Sequence, residues 1–211
     1  MGRPVCPLSF MKTLIVTGGI GCGKSSVAEL FCSFFHTASI RRYSADGSVH
    51  AAYEHPEVRT RIAEALKIDN VKHFASGKEF REEVRSRVLT QKNARSRLEE
   101  VLHPVVRRSF IEVKEAAIRE GVNLLVAEVP LYYETGGAFE SEGVLVVAAS
   151  RSTQLHRLQF YRSLDLQTAE EMLLMQMPLD EKIWRADFVI WNDGSLDALK
   201  AELSVLHQVV S

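Results

Sequence analysis

Eight consecutive residues carry the chemistry: Gly18-Gly19-Ile20-Gly21-Cys22-Gly23-Lys24-Ser25. They fit G-x-x-x-x-G-K-[ST], with Gly18, Gly23, Lys24 and Ser25 in the fixed places. Glycines let successive backbone N–H groups point into one concavity, with no side chain in the way. A helix that follows aims its positive end at the same spot. Lys24 has the reach for the β- and γ-phosphates, and the Ser25 hydroxyl is a ligand for Mg²⁺. Gly19, Ile20, Gly21, Cys22, Gly23, Lys24, Ser25 and Ser26 are thus the candidate nucleotide residues, with the backbone of Gly21 to Ser26 as the cradle. The opposing reading is a glycine-rich turn that holds no nucleotide.

The flanking residues are the elements such a loop needs. Leu14-Ile15-Val16-Thr17 is an apolar run ahead of it. Val27, Leu30, Phe31 and Phe34 follow at i, i+3, i+4 and i+7, one stripe on a helix expected to run to Phe35. Ala38 to Tyr43 reads as a second strand. Val58, Ile62, Ala65 and Leu66 form a helical face, and Gly77 breaks that pattern. Lys78 to Lys114 is charged and helical, with Leu98, Val101, Leu102, Val105 and Val106 on one face. Pro104 predicts a kink or a restart near His103. Asn123 to Val129 and Gly143 to Ala149 lack alternation, as strands covered on both faces do. Asp187 to Trp191 reads as the last strand, and Leu196, Leu199, Leu203, Leu206 and Val210 stripe a closing helix.

Strands alternating with helices predict an α/β fold of three layers, a P-loop fold with a mostly parallel sheet. An irregular leader, residues 1–11, precedes a single domain, 12–211. Within it, 47–121 is too long for a simple crossover and reads as a helical insertion that covers the substrate. Residues 151–184 read as a lid.

A phosphate site needs an acceptor. No Asn-Lys-x-Asp or Asp-x-x-Gly sequence is present, so guanine-reading and switch motifs are missing. A motor ATPase usually has an apolar strand ending in Asp; the nearest run, Leu124-Leu125-Val126-Ala127-Glu128, ends in Glu. A small-molecule kinase needs a carboxylate that accepts the acceptor's hydroxyl proton. Asp46, after the second strand, is the candidate base, although Asp46-Gly47 is also a turn signal. Glu128 on a buried strand is costly unless it meets a partner, such as a Mg²⁺-bound water or a substrate-side Arg. Glu134 either does likewise or faces solvent. Tyr132 and Tyr133 flank a ligand or pack; Trp184 and Trp191 read as packing residues. Cys22, beside Lys24 and a helix start, has two features that lower a thiol pKa, which makes it a candidate redox-sensitive position; the opposing and favoured reading is a small inert thiol in the loop.

Totals narrow the class. The chain has 211 residues, 46% of them apolar, with 26 Lys plus Arg against 27 Asp plus Glu. Near-neutral charge speaks against a dedicated nucleic-acid binder. Cys6, Cys22 and Cys32 suggest reduced cytosolic thiols. No apolar run approaches the about eighteen residues of a transmembrane helix. The expectation is a cytoplasmic protein without membrane or nucleic-acid partners.

The glycine-rich loop, Ala45-Asp46, Leu102-His103-Pro104, Val129-Pro130-Leu131, Gln176-Met177-Pro178, Arg185-Ala186-Asp187 and Asn192 together resemble the dephospho-coenzyme A kinase family. The resemblance runs from about Lys12 to Gly194. It implies transfer of the γ-phosphoryl of Mg-ATP to the ribose 3′-hydroxyl of dephospho-coenzyme A, the last step of coenzyme A synthesis. It implies Asp46 as general base, and Arg81, His103, Glu128, Pro130 and Leu131 on the substrate side. Arg157 is implied to serve nucleotide and catalysis with Lys24, with Arg162 as a second lid arginine and Asn192 beside the nucleotide. An arginine's fixed fork of donors suits phosphate oxygens. Two departures stand out. Ser44-Ala45-Asp46 replaces the family's usual Asp-Ala-Asp, and Arg162 is followed by Ser163 with one extra residue after Arg157. The alternatives are a kinase of another small alcohol or nucleoside, and a nucleotide-binding protein without turnover.

Overall fold

The unbroken apolar runs become strands of one sheet. The computed structural model describes residues 11–36, 39–69, 74 and 76–210. The leader up to residue 10, Cys6 and the expected strand start at Ala38 lie outside the described residues. Strands are β1 (Lys12–Gly18), β2 (Ile40–Ser44), β3 (Leu124–Glu128), β4 (Gly143–Ala148) and β5 (Phe188–Trp191). Helices are α1 (Lys24–Cys32), α2 (Ala45–Ala52), α3 (Pro56–Leu66), α4 (Gly77–Thr90), α5 (Ala94–Arg119), α6 (Arg151–Arg162), α7 (Leu166–Leu174), α8 (Leu179–Trp184) and α9 (Leu196–Val210).

The spatial strand order is β2-β3-β1-β4-β5. β1 pairs in parallel with β3 and β4, and β4 with β5. β1 is therefore central. The chain first builds on one side of it and later on the other. Open α/β sheets bind ligands at such a reversal, outside the carboxyl ends of the strands. The glycine-rich loop leaves β1 at that end.

Contacts divide the chain into two compact units, Met1–Tyr43 with Lys114–Ser211, and Ser44–Val113. In the first, Leu14, Val16, Leu124, Val126, Leu145 and Val147 share a core with Val27, Ala28 and Phe31 of α1 and Leu199, Leu203 and Leu206 of α9. The alternate strand residues Ile15, Leu125 and Val146 are also wholly buried. Both sheet faces are thus covered, which is why these strands show no apolar–polar alternation. The second unit packs Ala52, Ile62, Leu66, Phe80, Val84 and Leu102 into a helical core of its own.

Two local expectations are corrected. α1 stops at Cys32. Phe34 and Phe35 donate back to Phe31 and Cys32, three residues away rather than four. That tighter turn rotates Phe34 outward, to 37% exposure, while Phe35 packs on the core. The restart near His103 is absent: α5 runs on through Pro104. Proline removes one i→i−4 bond, and the many remaining turns carry the helix on. The break falls instead at 91–93, where Asn93 adopts φ 64.

Candidate functional site

Two glycines give the phosphate loop its path. Gly21 has φ 76 and Gly23 φ 85, left-handed values that side chains resist. Gly23 is the N-cap of α1, and Val27 N–H makes the first helical bond, to the Gly23 carbonyl at 3.0 Å. The N–H groups of Ser25 and Ser26 lie ahead of that bond, without an intrahelical acceptor. The first turn of α1 holds no acidic residue. This is an N–H edge suited to an anion.

The backbone of the loop is held by side chains from far along the chain, mostly at its carbonyls. Gln154 Nε2 donates to the Ile20 carbonyl at 2.6 Å, and Gln176 Oε1 accepts from Ile20 N–H at 2.9 Å. Arg157 Nη1 donates to the carbonyls of Gly21 and Cys22 at 3.2 and 3.3 Å, and its Nη2 to the Asn192 carbonyl at 2.7 Å. Asn192 Nδ2 donates to the Cys22 carbonyl at 2.8 Å. Arg157 and Asn192 therefore touch the loop itself. Arg162 is the exposed last residue of α6, and Ser163 after it is left-handed at φ 52.

Lys24 Nζ donates to the Gly19 carbonyl at 2.9 Å and to the Gly18 carbonyl at 3.4 Å. Ser25 Oγ donates to Glu128 Oε1 at 2.6 Å. The cost of burying Glu128 is met by that bond. Thr17 Oγ1 donates to the Pro130 carbonyl at 3.1 Å, and Thr135 Oγ1 to the Leu131 carbonyl at 2.9 Å. These bonds fix the path of the chain beyond β3. Glu134 does not face solvent alone. Its Oε1 lies 2.7 Å from the ammonium of Lys182 and accepts from Met177 N–H at 3.1 Å.

In the second unit Asp46 is exposed in the first turn of α2. Ser44 is the N-cap of that helix, its Oγ accepting from Gly47 N–H at 3.1 Å. Serine is a favoured N-cap residue, and Ser44 supplies that cap here. Arg81 is half-buried, its guanidinium 5.8 Å from the centre of the Tyr53 ring. His103 lies half-buried on α5.

Among the side chains, the reading of the two tryptophans changes and those of Cys22 and Tyr133 narrow. Cys22 is wholly buried, and burial pushes its thiol pKa up despite the nearby charges of Lys24 and Arg157. That removes the basis for a reactive thiol. Trp184 and Trp191 are not core residues: they are 85% and 49% exposed. Trp191 lines a cavity of about 380 Å³ with Gly19, Gln154, Gln176 and Leu179. Tyr133 packs edge-on to buried Tyr132 and lies under the Arg185 guanidinium.

Gln154 and Lys182 carry no signal in the sequence that marks them for the site. Gln176 carries one, in Gln-Met-Pro, whose meaning is its bond to Ile20. Asp187 is similar. It accepts from Val144 N–H at 2.8 Å and so holds the start of β4.

A central parallel strand, a glycine-rich loop and a helix start define a P-loop kinase fold. The shikimate kinase of Acinetobacter baumannii shares that fold, at TM-score 0.53 and 14% identity over 96% of this chain and 94% of its own. The family model for dephospho-CoA kinase matches residues 13–198, and the chain belongs to the dephospho-CoA kinase family. A dephospho-CoA kinase of Rhodopseudomonas palustris is 34% identical over 193 residues, 92% of each chain. One from Bacillus cereus is 33% identical over 192 residues, 90% of this chain and 93% of its own. The solved dephospho-CoA kinase of Campylobacter jejuni aligns at TM-score 0.59 and 26% identity, covering 95% of this chain and 98% of its own. The Thermus thermophilus protein TT1252 aligns at TM-score 0.74 and 28% identity with the same coverage.

Proposed function

We propose that this chain transfers the γ-phosphoryl group of ATP to the ribose 3′-hydroxyl of dephospho-coenzyme A, giving coenzyme A and ADP. The observation that carries the reading is the phosphate loop Gly18–Ser25 inside a family match that spans residues 13–198.

The N–H edge from Gly21 to Ser26 cradles the phosphates, and Lys24 balances their charge. Arg157 holds the loop carbonyls, which keeps the N–H edge turned toward the nucleotide. Asp46 takes the proton of the attacking hydroxyl. Arg81, His103, Glu128, Pro130 and Leu131 serve the acceptor side, and Asn192 the nucleotide side. The insertion 47–121 covers the acceptor, and the lid 151–184 excludes water.

The donor set fits Mg²⁺. Ser25 and Glu128 offer hard oxygens at one point. Among the described residues no cluster of three or more His, Cys, Asp or Glu forms a metal cage. Magnesium is usually held by one or two protein oxygens plus substrate phosphates. Bound there, Mg²⁺ neutralises charge on the phosphate oxygens. Among the described residues no helix is long and apolar enough to cross a membrane. A cytoplasmic location without nucleic-acid partners completes the reading, supported by the sparse cysteines and the net charge of −1.

ADP release with Mg-ATP and dephospho-coenzyme A tests it. Turnover that depends on this acceptor is expected. Turnover only with another alcohol, or ATP binding with no turnover on any acceptor, would overturn it.

A further inference from the structure

Lys182 is a wholly buried ammonium on α8, a short helix whose other residues are exposed or half-buried. A buried charge is tolerated only when it is paired and hydrogen-bonded. Its first partner is Glu134, at 2.7 Å, with a side chain 20% exposed. Its second is the Gly18 carbonyl, to which it donates at 3.3 Å. That carbonyl also accepts from Lys24 at 3.4 Å. Two lysines from opposite ends of the chain thus share one oxygen, at the first residue of the phosphate loop.

Lys24 must leave this oxygen to reach the phosphates. A buried carbonyl abandoned by its donor costs free energy. Neither carbonyl that Lys24 uses is abandoned. Gly19 also accepts from Cys22 N–H at 3.3 Å, and Gly18 also accepts from Lys182. A carbonyl oxygen has two lone pairs, so both arrangements are allowed. The second ammonium has a further effect. Like charges meeting at one oxygen repel, and the repulsion is relieved when Lys24 moves away to an anion. Glu134 keeps Lys182 from moving instead, because it holds that ammonium at the shorter distance.

We propose that Lys182 is a second lysine of the nucleotide site: a positioning residue that keeps the Gly18 carbonyl occupied and favours release of Lys24 to the ATP phosphates. The proposal deepens the reading of Gly18–Ser25 as the ATP site and rests on it.

The experiment titrates ATP, without acceptor, into four full-length proteins: parent, Lys182→Met, Lys24→Met and the double variant. If Lys182 acts through Lys24, Lys182→Met weakens ATP binding about 10-fold in the parent background and less than about 2-fold in the Lys24→Met background. Equal losses in both backgrounds, or no loss in either, would overturn the proposal, since a residue that only supports the fold acts alike in both. Lys182→Met leaves Glu134 with Met177 N–H but without its cation, so Lys182→Met with Glu134→Gln is read in the same way. It removes the unmatched charge and guards against a folding defect of the single variant. A parent that binds no ATP would overturn the nucleotide-site reading itself. A parent that binds ATP but ignores dephospho-coenzyme A would overturn only the acceptor.

Discussion

The Ser25 hydroxyl donates to the Glu128 carboxylate at 2.6 Å, tying the first turn of α1 to the last residue of β3. Parallel pairing sets this up, because Val16 of β1 lies opposite Glu128 in register. The bond explains a buried glutamate where a motor ATPase has aspartate. Partners that orient a metal ligand typically contribute 10–100-fold in metal affinity or activity. Glu128→Gln is expected to lower turnover by about that factor and to raise the Mg²⁺ concentration needed for half-maximal rate, with metal-free ATP binding unchanged. A magnesium titration of the initial rate checks this; an unchanged magnesium profile would count against the role.

Asp46 stands exposed at the start of α2, with Ser44 capping the same turn. Its proposed task is proton transfer, which contributes about 10²–10⁴-fold in enzymes. Asp46→Asn should therefore lower kcat at least about 100-fold while the dissociation constant for ATP stays put. Turnover that survives the substitution would remove Asp46 from the mechanism and leave the kinase intact. Ser44→Ala separates the cap from the chemistry: it should lower stability by about 1 kcal/mol, measured by urea unfolding.

Gly23 joins a backbone constraint to a steric one. At φ 85 a Cβ would meet Asn192 Nδ2 at 2.5 Å. Gly23→Ala should cost about 1–3 kcal/mol and weaken ATP binding. Adding Asn192→Ala should restore part of the stability, since it relieves the collision but not the torsion. Thermal unfolding of the three proteins is the check; no recovery in the double variant would mean that torsion alone sets the cost.

Acid should loosen the junction between β4 and α6 through Asp193. Burial pushes its carboxyl pKa upward, but hydrogen bonds from Thr153 and Ser150 and the charge of Arg157 together outweigh that and leave it lowered. The Ser150 N–H and hydroxyl donate to it at 2.9–3.0 Å. A carboxylate whose folded pKa lies below its unfolded one stabilises the fold above the unfolded value. That contribution disappears as pH falls through the folded value. Between neutrality and pH below about 4, the parent should lose more of its urea midpoint than Asp193→Asn. Parallel losses in the two proteins would exclude Asp193 as the source.

What the sequence revealed and what it hid follow from distance along the chain. The loop, its strand and its helix are contiguous, so local spacing exposes them. The covered strands show themselves by lacking alternation. The ends of elements were less legible: α1 stops before Phe34 because a tight turn intervenes, and α5 absorbs Pro104 because long helices tolerate one lost bond. The partners of the loop were hidden for another reason. Gln154, Arg157, Lys182 and Asn192 reach it from more than 130 residues away. Lys182 follows Asp180 and Glu181, a charged run that reads as solvated. Only the fold turns its ammonium inward. The resemblance to a family supplied Arg157 and Asn192, but not the reason that they are needed.

That same clamping imposes an order on biosynthesis. The phosphate loop is made before Arg157 and Asn192, the side chains that hold its Gly21 and Cys22 carbonyls. At ordinary elongation speeds the two are separated by on the order of ten seconds or more on the ribosome. During that interval the loop lacks the bonds that Arg157 and Asn192 make to its carbonyls in the folded chain. Ligand affinity should emerge abruptly, with the last strand, rather than grow as the chain lengthens.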